Sequence, residues 1–148
     1  MNIYIGADHR GYKLKKALYE WLVSKRYAVV DMGAYIHDGK DDYTLYAEKV
    51  GSLVAHERAM GILICGSGVG INVAANKIDG VRASLGLNPD QVKAGRKDDD
   101  MNVLVLASDF VSERAAKKMV EVFMKGMFDK KDRHVRRLTD IERMEENN

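Results

Sequence analysis

Cysteine and proline are nearly missing from this 148-residue chain, which holds one of each, Cys65 and Pro89. With a single cysteine no internal disulfide can form, so packing alone must hold the fold, and a reducing cytoplasm is the expected setting. No apolar run approaches the roughly 18 to 20 residues that a membrane-spanning helix needs. The N-terminus, Met1-Asn2-Ile3-Tyr4-Ile5, reads as a strand rather than as a basic leader with an apolar signal region. Excess charge is also lacking: a formal +2 is too small to imply a nucleic-acid partner. Internal repeats and low-complexity segments are absent. What is present, 46% hydrophobic and 31% charged residues, is ordinary for a soluble globular protein, and the length fits one domain over residues 1–148.

Short apolar runs alternate with amphipathic segments at intervals of roughly two dozen residues, the rhythm of βα units. Strands are expected at 2–6, 28–32, 61–65, 81–85 and 102–107. Helices are expected at 12–25, where Leu14, Leu18, Trp21 and Leu22 share a face, and at 42–58, where Leu45, Tyr46, Val50, Leu53 and Val54 do. Further helices are expected at 70–78, 89–97 and 112–128, with Asn88 capping the second of these and Pro89 in its first turn. The pattern predicts an α/β protein, a Rossmann-like three-layer fold with a five-stranded parallel sheet. In such sheets ligands bind beyond the carboxyl ends of the strands. The tail, 130–148, is basic and then acidic, and Leu138, Ile141 and Met144 give it only a narrow apolar stripe. Such a tail is expected to pack on a second copy of the chain.

The richest segment is Ile64-Cys65-Gly66-Ser67-Gly68-Val69-Gly70-Ile71, an apolar strand running into a glycine turn and a helix start. Backbone N–H groups and the positive end of the helix dipole favour an anion there. The same field is expected to lower the Cys65 thiol from its ordinary pKa of about 8.5 towards neutrality. The competing reading of Cys65 is a small core hydrophobe. On the loop after the first strand, Gly6-Ala7-Asp8-His9-Arg10-Gly11, Asp8 and His9 fall on the same sheet edge as Cys65. They can move protons between substrate oxygens or hold an anion, although Asp8 could equally cap the following helix. Arg133 and Arg137, four apart, share a helix face that suits a phosphate or a solvated surface. His37 and His56 lack partners at metal spacing, so no metal is expected. A nucleotide-binding reading is weaker, since the first loop lacks Gly-x-Gly-x-x-Gly and Asp31 precedes Met32-Gly33.

Taken together, Gly6-Ala7-Asp8-His9-x-Gly11, Asp42-Tyr43, the Cys65 to Ile71 turn, Ala74-Ala75-Asn76-Lys77, Gly80-Val81-Arg82-Ala83, Asn102-Val103-Leu104 and Arg133-His134-x-x-Arg137 resemble the type B ribose-5-phosphate isomerases and the related galactose-6-phosphate isomerase subunits. The resemblance spans nearly the whole chain. It implies aldose–ketose isomerisation of a sugar phosphate, most simply ribose 5-phosphate to ribulose 5-phosphate, through a cis-enediolate. It also implies no cofactor, and a site built across a homodimer or a dimer of dimers. By matching position, Cys65 is the implied base. Ser67, with the amides of Gly66, Gly68 and Gly70, is the implied oxyanion cradle, and Asp8 the proton carrier on the sugar oxygens. His9, Arg133 and Arg137 are implied around the phosphate, and Tyr43 in the pocket wall.

Two departures stand out. Asp98 and Asp99 replace the histidine and asparagine of the family pattern, and Asp109 replaces a common arginine. Asp98 would have to stand in as the ring-opening acid, and Asp99 lacks the amide donor. These changes imply a shifted substrate, such as a six-carbon sugar phosphate, or a weakened relative that binds without turnover. A carboxylate at 109 is expected to repel a phosphate.

Overall fold

A computed structural model describes all 148 residues. Five strands, β1 (Ile3–Ala7), β2 (Val29–Asp31), β3 (Met60–Cys65), β4 (Ala83–Leu85) and β5 (Val103–Ala107), form one parallel sheet in the order β2-β1-β3-β5-β4. The helices are α1 (Tyr12–Ser24), α2 (Tyr43–Glu57), α3 (Val69–Ala75), α4 (Pro89–Asp99), α5 (Glu113–Lys125) and α6 (Asp132–Glu146). The expected α/β layering is what forms, with differences at the element ends: α3 stops at Ala75 and α5 at Lys125, each three residues before the expected end. The fourth strand begins at Ala83 rather than Val81, and the fourth helix runs on through Asp98 and Asp99 instead of ending at Lys97.

The central strand β3 is buried over its whole length, and its side chains alternate between two cores. Met60, Ile62 and Ile64 join Leu18, Leu22, Val92, Met119 and Phe123 beneath α1, α4 and α5. Leu63 and Cys65 join Tyr46, Val50, Val54, Ile71 and Ala75 beneath α2 and α3. Leu45 was expected on the buried face of α2 but is exposed; Ala47 and Gly51 fill that face, where the small residue is needed because a Cβ on Gly51 would come within 2.5 Å of Ile78 Cδ1. Asn88 caps α4 as expected, its side chain accepting from the N–H of Gln91, with Pro89 in the first turn.

The tail forms helix α6, and part of that helix rests on its own chain. His134 is fully enclosed, and the Glu145 carboxylate accepts from the N–H of Gly80. Ile141 and Met144 remain exposed, because the stripe is too narrow to be covered along its length by one chain.

Candidate active site

Because β1→β2 and β3→β5 run outward in opposite directions, the crevice of the sheet opens between the carboxyl ends of β1 and β3. Three loops meet there and are laced by main-chain hydrogen bonds. The N–H of Asp8 donates to Ile64 O (3.3 Å), Ser108 N–H to Cys65 O (2.9 Å) and Asp109 N–H to Gly66 O (3.0 Å). Gly11 makes this approach possible: a Cβ there would lie 2.5 Å from the carbonyl oxygen of Ile64.

Cys65 ends β3 on the α2/α3 face, buried. Burial pushes its thiol up, and the nearby Asp8 carboxylate adds to that; the N–H groups of Ile71 and Gly68 and the charge of Arg10 pull the other way without prevailing. The expected lowering is therefore wrong in sign. Loop amides visible in the sequence do favour a thiolate, but desolvation at a closed strand end outweighs them. Ser67 is exposed, and its Oγ accepts from the N–H of Val69 (3.3 Å), tightening the glycine turn. Gly68 has φ +75°, a left-handed conformation that suits glycine. Gly70 lies inside α3 and meets Tyr43, whose ring carbon Cζ would be 2.5 Å from a Cβ on that glycine. Tyr43 thus leans on the turn.

Asp8 is buried and does act as a cap of sorts: its Oδ1 accepts from the N–H groups of Arg10 and Gly11, both at 3.0 Å. Its other oxygen makes no hydrogen bond within the chain and is left available. His9 is held by a residue the sequence reading passed over. Asp41 accepts from both the His9 N–H (2.8 Å) and ring Nδ1 (2.7 Å), and its second oxygen accepts from the Tyr46 hydroxyl (2.9 Å). The Asp41 bond raises His9 above its ordinary value, despite some desolvation. Burial alone would raise Asp41, but the His9 N–H, the His9 ring and Tyr46 together bring it below the usual range. Tyr46, desolvated and facing Asp41, is pushed up to about 12. A short Asx-rich loop, Asp38 to Asp42, was the only signal for Asp41 in the sequence, and it points to no partner.

A raised His9 gives the pair a defined pH window. Its stabilisation is complete below the unfolded histidine value near 6.5, and is lost as pH rises through the higher folded value. The expected outcome is an NMR titration midpoint for His9 above 6.5, which Asp41→Asn moves downward; an unmoved midpoint would mean that Asp41 does not set the charge of this ring.

The remaining expected site residues do not join this group within one chain. Gly61 pairs with Val103 and Cys65 with Ala107, so Asp98 and Asp99, which precede β5, lie towards the opposite edge, about 13 Å further down the strands. Asp98 faces His134 (3.8 Å) and Lys97 (3.7 Å), and Asp99 lines a groove of about 520 Å³ with Ile141 and Met144. Asp100 pairs with Arg82 and Arg96. Arg133 and Arg137 are exposed on α6, and neither forms an ion pair, so the acidic residues near them in sequence do not neutralise them. Arg133 Nε donates to His134 Nε2 (3.0 Å), which leaves His134 Nδ1–H to donate to Asp129 (2.7 Å). Burial alone would raise Asp129, but the His134 bond together with the N–H and charge of Lys131 holds it down at about 2. The carboxylate expected to repel phosphate, Asp109, is instead paired with Arg10. Two groups, Asp8–His9–Asp41 and Asp98–Asp129–His134, bring possible ligand atoms within 4.8 Å, and the short bonds just described already link the histidine of each to an aspartate. Asp31, the residue a nucleotide ribose would need, is taken up by the buried Lys15, whose Nζ donates to both its oxygens (2.6 and 2.7 Å) and to Ala34 O (2.7 Å).

A thiol ending the central strand of a parallel sheet, with a carboxylate and an imidazole on the adjacent loop, defines an α/β enzyme built for proton transfer on a small anionic substrate. The family described as Ribose/Galactose Isomerase matches residues 3–141. The chain is 42% identical over 146 residues to a probable ribose-5-phosphate isomerase B of Mycoplasma genitalium, covering 97% of this chain and 95% of that one. It is 37% identical over 145 residues to ribose-5-phosphate isomerase B of Escherichia coli strain K12, covering 97% and 96%. The crystal structure of the Mycoplasma genitalium enzyme with bound ribulose-5-phosphate superposes with a TM-score of 0.94 at 41% identity, over 99% of this chain and 97% of that one. The chain belongs to the ribose/galactose isomerase family and is an aldose–ketose isomerase.

Proposed function

We propose that this protein interconverts ribose 5-phosphate and ribulose 5-phosphate, with Cys65 as the base and a second copy of the chain completing each site. The observation that carries the reading is the place of Cys65: a sulfur at the crevice of the sheet, faced by the N–H groups of Gly68 and Ile71, next to Ile64, whose carbonyl accepts from the N–H of Asp8. The relatives named above, one of them holding ribulose-5-phosphate, support the choice of sugar.

The reaction is internally balanced. The thiolate takes the proton from C2 of the open-chain aldose, charge develops on the carbonyl oxygen as a cis-enediolate, and the proton returns at C1. A second proton passes from the C2 hydroxyl to the C1 oxygen. C1 is reduced and C2 oxidised, so no cofactor is consumed. Ser67 and the amides of Gly66, Gly68 and Gly70 would take the developing negative charge, which needs donors fixed beforehand. The free oxygen of Asp8 would carry the proton between the two sugar oxygens. His9 would meet the phosphate, and Tyr43 would wall the pocket beside Gly70.

Support for the second copy comes from the separation of Asp98, Asp99, Arg133 and Arg137 from Cys65. These residues can serve a thiol only if another chain brings them, and the exposed Val69, Val73, Leu87 and Phe110 offer apolar surface for that contact. In this arrangement Arg133, oriented by His134, and Arg137 would reach the phosphate. Asp98, beside Lys97 and His134, would face the sugar ring as its opening acid, and Asp99 would contact the sugar hydroxyls.

The test is the conversion of ribose 5-phosphate in D2O, followed by NMR, with six-carbon sugar phosphates run in parallel. An enediolate with a solvent-exchanging base is expected to place deuterium at C1 of the ketose. Absence of conversion with every sugar would end the assignment, and faster conversion of a six-carbon sugar would change the substrate while keeping the chemistry.

A further inference from the structure

We infer that Arg10 is a phosphate-binding residue, the guanidinium with which each chain grips the anionic end of its own substrate, and that Asp109 is the residue that positions it. The inference rests on the sugar-phosphate reading above and assigns a residue that this reading leaves unused.

Arg10 follows His9 on the loop after β1 and lies across the glycine turn. A side chain on Gly66 would collide with the Arg10 guanidinium, so the bare glycine is the seat on which it rests. Three contacts fix it from two loops. Its N–H donates to Asp8 Oδ1 (3.0 Å), its carbonyl accepts from Ser108 Oγ (2.9 Å), and its Nη2 donates to the Asp109 carboxylate. Only one terminal nitrogen is used in this way. A guanidinium has five N–H donors in a planar fork, and those on Nε and Nη1 find no acceptor in the chain. The side chain is 54% exposed, so the free part of the fork is open to an incoming ligand.

The electrostatic setting gives this cation unusual weight. Asp8, Asp41 and Asp109 place three carboxylates at the crevice, against His9 and Arg10. Without Arg10 the local balance is strongly negative, and a phosphate dianion would be repelled by the loop meant to receive it. Asp109, which reads from sequence as an obstacle to phosphate, is instead the group that holds a phosphate-binding fork in place. A lysine could not do the same, since its single ammonium cannot face a carboxylate and a phosphate with separate planar edges.

The experiment compares wild type with Arg10→Ala, Arg10→Lys and the exchanged pair Arg10→Asp/Asp109→Arg. Two readouts are needed: the dissociation constant of inorganic phosphate by calorimetry, and the ratio of kcat/KM on ribulose 5-phosphate to kcat/KM on unphosphorylated ribulose. Loss of one charge-assisted fork is expected to weaken phosphate binding about tenfold to a hundredfold in Arg10→Ala, with a partial loss in Arg10→Lys. The ratio is expected to fall by a similar factor, and the exchanged pair to recover much of both. Unchanged phosphate affinity in a folded Arg10→Ala would overturn the assignment, as would an equal loss on both sugars, which would make Arg10 a brace between loops or a partner of the enediolate. Should Arg10→Ala not fold, Arg10→Lys and the exchanged pair decide by the same criteria. Calorimetry does not depend on turnover. A wild type that binds phosphate but isomerises nothing would sink the isomerase reading alone, whereas a wild type that does not bind phosphate would sink this one.

Discussion

Cys65→Ala is expected to lower kcat by about a thousandfold, the usual scale for removing a positioned base, with KM changed far less. In the proposed mechanism Cys65 is the group that takes the proton from carbon. Asp8 stands beside it, but one of its oxygens is already engaged by two backbone N–H groups. The substitution removes a single sulfur from a site already walled by Ile71, Leu63 and Ala75, so a loss of stability of about 1 kcal/mol is the expected side effect. Burial adds a second signature. Because the thiol is pushed up, the thiolate is a minority form near neutrality, and alkylation by iodoacetamide is expected to keep accelerating as pH rises past 9. A variant that retains the wild-type rate would move the base elsewhere, with Asp8 the next group to remove.

Gly11→Ala is expected to be the most damaging of the single-methyl additions, costing about 3 kcal/mol, at the upper end of what overpacking commonly costs. At Gly51 and Gly66 the crowding atoms belong to side chains, of Ile78 and Arg10, that can swing aside. At Gly11 the Cβ would meet backbone, 2.5 Å from the oxygen and 2.8 Å from the carbon of the Ile64 carbonyl, and that carbonyl accepts the N–H of Asp8. Relief therefore requires the β1 loop and the end of β3 to separate. For a chain of this length the cost corresponds to a fall in Tm of roughly 6 to 12 °C, measurable by calorimetry. Activity is expected to fall in parallel, since Asp8 and His9 ride on the same loop. A melting temperature within a degree or two of wild type would show that the loops can part without cost.

The strands were legible because a sheet covered on both faces demands near-continuous apolar runs, and the helices between them carry a 3.6-residue period. The same continuity hid which face Cys65 takes, because Ile62, Leu63, Ile64 and Cys65 all read alike. With the face hidden, so was the burial that reverses the direction of the thiol shift. The Asp8, Cys65 and Ser67 loops could be placed on one edge because carboxyl ends of parallel strands coincide. The sheet order could not be placed, whereas the distance of Asp98 and Asp99 from Cys65 follows from their place before β5, at the amino ends of the parallel strands. Asp41 and Arg10 were missed for a common reason. Their partners, His9 and Asp109, are 32 and 99 residues distant, and such pairings leave no periodic trace.

The lacing of the three loops has an evolutionary meaning. Since main-chain bonds from Asp8 to Ile64, from Ser108 to Cys65 and from Asp109 to Gly66 fix the crevice, side chains at 9, 10 and 109 can be exchanged, even with reversal of charge, while the sulfur stays where it is. The backbone thus places the sulfur, and the charge around it is set by side chains that the main-chain lacing leaves free to change.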